Sequence, residues 1–281
     1  MVLPMPRRLA VVVLKFLVYL LLFTFALASL LPLYWMFTTA FKPTTLVMAM
    51  PPEWFPTNPS LENFRRMFAM APVWRWTLNS GIVAVTVTVM NLVLDSLAGY
   101  LFAKRTFPAR DALFWLILST MMIPAQVTIV PLYIMAARLD LLNTYGGLIW
   151  PVSVRAFGIF LMKQYMQTLP SEIIDAAAID GCGELGTFTR IILPLAKPAL
   201  AVLAIFIFIG NLNSFLWPML VTSKGQMRTL PVGLTTLQDL YWQDYGLVIA
   251  GAAWTALPAV VLFLLLQKYF LTGLTVGAIK A

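Results

Sequence analysis

The chain has 281 residues, 61% of them hydrophobic and 11% charged, with a formal net charge of +8. Soluble domains carry about a quarter charged residues, so the composition excludes a soluble globule and defines an integral membrane protein. There is no histidine and one cysteine, Cys182. That excludes zinc triads, Ser–His and Cys–His nucleophile systems, an internal disulfide framework and multi-cysteine metal sites. The positive charge fits cytoplasmic loops held at an anionic membrane face rather than a nucleic-acid surface.

Each crossing of a bilayer needs roughly 20 mostly apolar residues. Arg7 and Arg8 precede an apolar run too long for a signal-peptide core, and it reads as the first span, 16–41. Five more stretches qualify: 81–103, 112–137, 141–162, 198–223 and 245–267. Within the six, the charges are Asp95 and Arg155. No pair of interrupted spans is evident.

Six crossings put both termini on one side. With a cytoplasmic N-terminus, the inner segments hold Arg7, Arg8, Lys15, Lys104, Arg105, Arg110, Lys163, Arg190, Lys197, Lys268 and Lys280. The outer ones hold Lys42, Arg65, Arg66, Arg75, Arg138, Lys224 and Arg228, and the first four lie in the long segment 42–80, where the bias is less binding. Both termini are therefore expected in the cytoplasm. The segment 42–80, with PPEWFP, Trp74 and Trp76, is expected along the outer interface, and the outer loop 224–244 carries Asp239, Tyr241 and Trp242.

The inner segment 163–197 contains DGCGELG, whose Gly181, Gly183 and Gly186 have the spacing of a dinucleotide-binding turn. That turn needs a strand before it and an acid about 20 residues on. Here SEIIDAAAID precedes it without β alternation, and the acid after Glu184 is Asp239, beyond another span. No phosphate-binding GxxxxGK[ST] is present. The flanks predict a cytoplasmic helix–turn–helix instead. Ser171 reads as an N-cap, Glu172 and Asp175 suit the helix dipole, and the three alanines 176–178 favour helix. Gly181 supplies the turn, and a second helix runs from Glu184 to Leu193, closed before Pro194.

LPSEIIDAAAIDGCGELGTFTRIILPLAKPAL resembles the cytoplasmic signature loop of permease subunits of binding-protein-dependent ABC importers. The matching positions are Ala176, Ala177, Asp180, Gly181, Phe188, Leu193, Pro194 and Pro198; Asp175 stands where Glu is usual and Cys182 where Ala is usual. LNSGIVAV (78–85), MMIPAQVTIVPLYIM (121–135), NSFLWPML (213–220), TLPVGL (229–234) and the ending GLTVGAIKA are similar to carbohydrate-uptake permeases of the maltose type, with Leu212 where a Trp is usual.

The resemblance implies an all-α integral membrane protein with six transmembrane helices, the type I ABC importer permease fold, as one domain over 1–281 in a prokaryotic inner membrane. It implies a non-catalytic subunit that binds no cofactor, with ATP and Mg held by a separate ATPase dimer. A second permease subunit (a heterodimer), an external solute-binding protein and membrane lipid complete the partners, and nucleic acid is not among them. Asp175, Ala176, Ala177, Asp180, Gly181 and Phe188 would form the element that couples to the ATPase: Gly181 gives the turn, Asp180 caps exposed amides and Phe188 anchors an apolar contact. The alternative is a loop helix packed on its own bundle. The tail 273–281 either reaches the ATPase or is a free terminus.

Asp95 and Arg155 are expected to pair between the second and fourth spans, or one of them lies on the solute path. Gln126, Asn211, Asn213, Ser214 and Trp217 have the chemistry to contact a sugar, by hydrogen bonds and ring stacking, or to bond between helices. The solute is a di- or oligosaccharide on this reading, with glycerol-3-phosphate as the alternative. A stand-alone secondary transporter is the competing class, and few intramembrane acids are available to it for ion coupling. A membrane enzyme lacks a nucleophile or metal constellation.

Overall fold

The structure is a computed structural model that describes residues 7–240 and 244–276. Tyr241 and Trp242 of the outer loop, the end of the C-terminal tail, 277–281, and the side chain of Asp239 lie outside the described residues. The described residues form helices and connecting turns, without strands. Contacts divide the chain into two units, Met1–Ala71 with Leu237–Trp254, and Pro72–Thr236 with Thr255–Ala281.

In the first unit, α1 (Arg7–Ala40) is an apolar helix whose side chains 11–33 are all exposed. At its far end the chain turns back on itself. Tyr34 donates its hydroxyl to the Trp54 carbonyl at 2.9 Å, and Trp35 meets Trp54 edge-on at 5.2 Å. Lys42 is fully buried with its Nζ 3.9 Å over the Trp35 ring. Burial pushes its pKa down, and nearby Glu53 opposes that shift.

Helix α2 (Glu62–Met70) carries the organising side chain of this unit, the fully buried Asn63. Its amide donates to the carbonyls of Ala40 and Lys42, and its oxygen accepts from the Thr44 hydroxyl at 3.0 Å. Arg66 pairs with Asp244, which also accepts from the Leu247 amide at 3.1 Å and so caps the start of the last helix, Tyr245–Val276. Asn63→Leu leaves two buried carbonyls without their donor, at about 1–3 kcal/mol for each unsatisfied group. A lower unfolding temperature of the purified protein is the expected result, and an unchanged one would show that these bonds are replaceable.

The second unit is built on α3 (Val73–Lys104). This helix inverts the pattern of a soluble one. It buries Asn79, Ser80, Thr88, Asn91, Asp95 and Ser96 and exposes Ile82, Val85, Val89, Val93 and Leu97. Polar and small residues inside with aliphatic residues outside is the arrangement lipid favours. Around α3 come α4 (Arg110–Ser119), α5 (Ala125–Arg138), α6 (Tyr145–Ile149), α7 (Ala156–Gln167), α8 (Glu172–Ile179), α9 (the helical run Glu184–Leu195), α10 (Lys197–Leu212), α11 (Leu216–Val221) and the start of α12 (Leu230–Leu240). The last helix, given above, is α13. Helix α3 packs most extensively on α7 and α10.

Two described helices, Val11–Ala40 and Val73–Lys104, are long and apolar enough to cross a membrane unbroken. The other apolar stretches of this unit are interrupted, contrary to the expectation of uninterrupted spans. The stretch 112–137 breaks between α4 and α5 with a 99° bend at Ile123 and Pro124. Proline lacks the amide needed to continue the ladder and forces the preceding residue to extend, and Ile123 has ψ 117°. The stretch 141–162 bends by 44° at 153–155, just after Pro151, and 198–223 breaks at 213–215. Averaged hydropathy does not register a lost donor.

Candidate functional site

The break before α7 is held from α3 by two side chains one turn apart. Asn91 donates to the Val152 carbonyl at 2.9 Å, and Asp95 accepts from the Arg155 backbone amide at 3.2 Å. Together they satisfy a carbonyl and an amide that a continuous helix would have paired internally. The Asp95 carboxylate therefore sits at the positive N-terminal end of α7, a favourable place for an anion. Gly158, in the first turn of α7, makes room for it, since a Cβ there would lie 2.7 Å from Asp95 Cγ. The structure thus brings Asp95 and Arg155 together, through the backbone of Arg155. The ion pairs formed among the described residues are Arg66–Asp244, Arg105–Glu184 and Arg110–Asp111.

The five polar residues considered for a solute path are placed differently from one another. Gln126 on α5 and Asn213 at the break after α10 are exposed, and Ser214 is half-buried. Asn211 is buried and donates to the Ile207 carbonyl at 2.7 Å within its own helix. Trp217 donates its indole N–H to the Gly147 carbonyl at 2.9 Å and so ties α11 to α6. Nearby, Asn143 takes φ 58° and bonds Ser223 and the Lys224 amide, which pins the α5–α6 turn to the end of α11.

The helix–turn–helix at 172–195 is present as α8 and α9. Gly181 has φ +77° with open space around its Cα, so the turn needs a residue tolerant of the left-handed region. Asp175, Ala176, Asp180 and Gly181 are exposed, and Ala177 is buried beside Ile174. Two large apolar side chains flank the turn in the open: Ile179 is 87% exposed and Leu185 70%.

Three details differ from the sequence reading. Ser171 occupies the N-cap position but has helical angles, φ −73° and ψ −24°, which do not aim its hydroxyl at the amides ahead, and it makes no capping bond. Asp180 forms no side-chain hydrogen bond among the described residues and lies at the C-terminal end of α8, where carbonyls rather than amides are left over. The second helix does not close before Pro194 but runs on to Leu195. It does so through a π segment, Thr187–Ile192, in which Leu193 bonds Phe188 rather than the residue four back. The wider turn relieves the clash that a proline ring makes with the preceding carbonyls.

Phe188 is 5% exposed and stacks on Tyr100 of α3 at 5.3 Å, among Met162, Met166, Ile174 and Ile192. It anchors the loop to the bundle. Sequence reasoning missed Lys104 and Arg105 beside it, which bond to both flanks of α8. It also missed Asp244 as a helix cap, although an acid directly before an apolar run is the ordinary start signal.

Comparison with known proteins places this geometry. The fold is that of a chain in the crystal structure of a bacterial ABC transporter involved in the import of the acidic polysaccharide alginate. The TM-score is 0.84, with 95% of this chain and 100% of that one covered, at 22% identity. Residues 95–275 match the family described as binding-protein-dependent transport system inner membrane component, and the chain belongs to that family. It is 38% identical over 258 residues to the arabinooligosaccharides transport system permease protein AraQ of Halalkalibacterium halodurans, covering 91% of this chain and 92% of that one. It is 33% identical to the sn-glycerol-3-phosphate transport system permease protein UgpE of Shigella flexneri, covering 87% and 90%. The chain is accordingly a permease, the non-catalytic membrane subunit of an ABC importer, and the ATPase is a separate subunit.

Proposed function

We propose that this permease moves a di- or oligosaccharide, delivered by an external binding protein, through a pathway shared with a second, different permease subunit, driven by an ATPase dimer that holds ATP and Mg. The observation that carries the reading is the α8–α9 turn. It presents Gly181 between two exposed apolar side chains, Ile179 and Leu185, with the exposed Ala176 one turn before them, in a chain of this family. Such a knob has little reason to be exposed unless another protein receives it. Asp175, Ala176, Ala177, Asp180 and Gly181 form the coupling element, and Phe188 fixes it to α3 from inside.

The two units work as a single permease domain over 1–281 with six spans, about 16–41, 81–103, 112–137, 141–162, 198–223 and 245–267. The loop 163–197 and both termini are cytoplasmic, with the tail 273–281 beside the ATPase or free. In α1 the exposed face meets lipid and the second permease. Asp95 and Arg155 serve the bundle rather than the solute. Gln126, Asn213 and Ser214, exposed or half-buried at breaks between helices, are the better candidates for the solute path, whereas Asn211 and Trp217 already bond within the chain. The relative AraQ favours a sugar. The relative UgpE favours glycerol-3-phosphate as a second reading. The path candidates are uncharged, which suits the neutral solute better.

Solute-stimulated ATP hydrolysis by the reconstituted complex tests the coupling element. Gly181→Asp puts a side chain and a charge on a left-handed turn, a backbone strain of about 1–2 kcal/mol. The variant is expected to assemble and to lose stimulation. Normal stimulation in an assembled variant would make the loop merely structural. Solute uptake by the chain without an ATPase would instead favour the stand-alone transporter.

A further inference from the structure

The end of α3 holds both flanks of the coupling helix. Lys104 Nζ donates to the Leu169 carbonyl, three residues before α8 begins, and lies 3.4 Å from Ser171 Oγ at its N-cap position. The next residue, Arg105, reaches the other way. Its Nε donates to Glu184 Oε2 at 2.9 Å, and a terminal nitrogen of the ion pair lies 2.7 Å from the same oxygen, where the chain leaves the turn to enter α9. The same guanidinium donates to the Tyr100 hydroxyl at 2.7 Å, and the Tyr100 ring carries Phe188 of α9. Adjacent residues on one helix end therefore bracket α8.

We infer that Lys104 and Arg105 are positioning residues that make α3 follow the coupling helix, so that displacement of α8 by the ATPase is delivered to the centre of the bundle. The inference rests on the coupling reading of α8–α9. The energetics favour a mechanical use over a stabilising one. Glu184 is 71% exposed and Arg105 31%, and exposed ion pairs add little to stability. What the pair adds is directional, because one planar guanidinium holds Glu184 through Nε and the Tyr100 hydroxyl through a terminal nitrogen, and so aligns the start of α9 with the end of α3. Otherwise α8 is joined to the rest through the turns at 168–171 and 180–183 and its buried Ile174 and Ala177. Helix α3, packed on α7 and α10, is the element through which a pull at this end reaches the broken spans.

The test uses the complete complex with its ATPase in lipid and needs no knowledge of the solute. In a Cys182→Ser background, a spin label is placed at Thr189→Cys on the loop or at Val93→Cys on the exposed face of α3, and spectra are compared with and without ATP. With native Arg105 both labels respond to ATP. In Arg105→Glu the loop label still responds, the α3 response is lost, and adding Glu184→Arg restores it. An α3 label that never responds, an unchanged α3 response in Arg105→Glu, or a double variant that restores nothing each overturns the inference while leaving the coupling reading intact. A loop label that ignores ATP in the native protein removes the coupling reading itself and this inference with it. If Arg105→Glu does not assemble, Glu184→Ala removes the acceptor from the exposed side and is read in the same way.

Discussion

Gly99→Leu is expected to abolish assembly of the permease, the largest effect of any single substitution considered. Gly99 lies on α3 where α7 comes closest, and a Cβ there would meet Met162 Cβ at 2.6 Å and the Lys163 backbone nitrogen at 2.9 Å. One of these obstacles is helix backbone, which cannot rotate out of the way as a side-chain end can. Overpacking in a tight core costs typically 1–3 kcal/mol, and contact against backbone belongs at the upper end or beyond. Small residues are what let membrane helices approach, since apolar burial supplies little drive between helices already in lipid. Separation of α3 from α7 also pulls Asp95 and Asn91 away from the break they satisfy. The measurement is the yield of folded complex by size exclusion in mild detergent, with Gly99→Ala as the milder companion. A complex recovered at native yield from Gly99→Leu would show that the seam opens freely.

Asp95→Ala is expected to lower the stability of the complex by about 1–3 kcal/mol, the cost of a buried group left unsatisfied, larger where charge is involved. The loss has two parts: the acceptor for the Arg155 amide at the start of α7, and the negative charge facing Arg155. Asp95→Asn keeps an acceptor of similar shape and should recover most of the first part only. The exchange of both charges, Asp95→Arg with Arg155→Asp, separates the accounts. The backbone amide of position 155 still needs its acceptor, so little rescue is expected if the cap dominates. Rescue close to native stability would show that the side-chain charges are the main partners. Thermal unfolding of these three variants and the native protein in one detergent reads all of this.

Much of the architecture was legible because lipid imposes simple rules. The apolar stretches, the two charges within them and the helix–turn–helix around Gly181 follow from residue type and spacing, and Gly181 does adopt the left-handed conformation. The interruptions were less visible. Pro124 and Pro151 stand in runs whose hydropathy is high on both sides, and a window average does not respond to a missing amide. Phe188 read as the anchor of an apolar contact, and the signature gives its spacing but not its facing. A π segment shifts the register of α9 and turns the ring onto Tyr100. Lys104 and Arg105 were read as counters of membrane orientation, and nothing local in KR tells that the two side chains diverge to opposite flanks of a helix some 70 residues away.

The bare circumference of α1 has a consequence for how the gene tolerates change. Side chains 11–33 are all exposed, so selection on this protein alone demands only that the apolar ones among them remain apolar. Saturation mutagenesis should find these positions almost interchangeable among Leu, Val, Ile and Phe, in contrast to the buried stripe of α3. Any departure from that indifference, recurring every third or fourth residue, would trace the outline of a neighbouring chain on α1. The sensitivity profile of one helix would then serve as an imprint of a subunit never seen beside it.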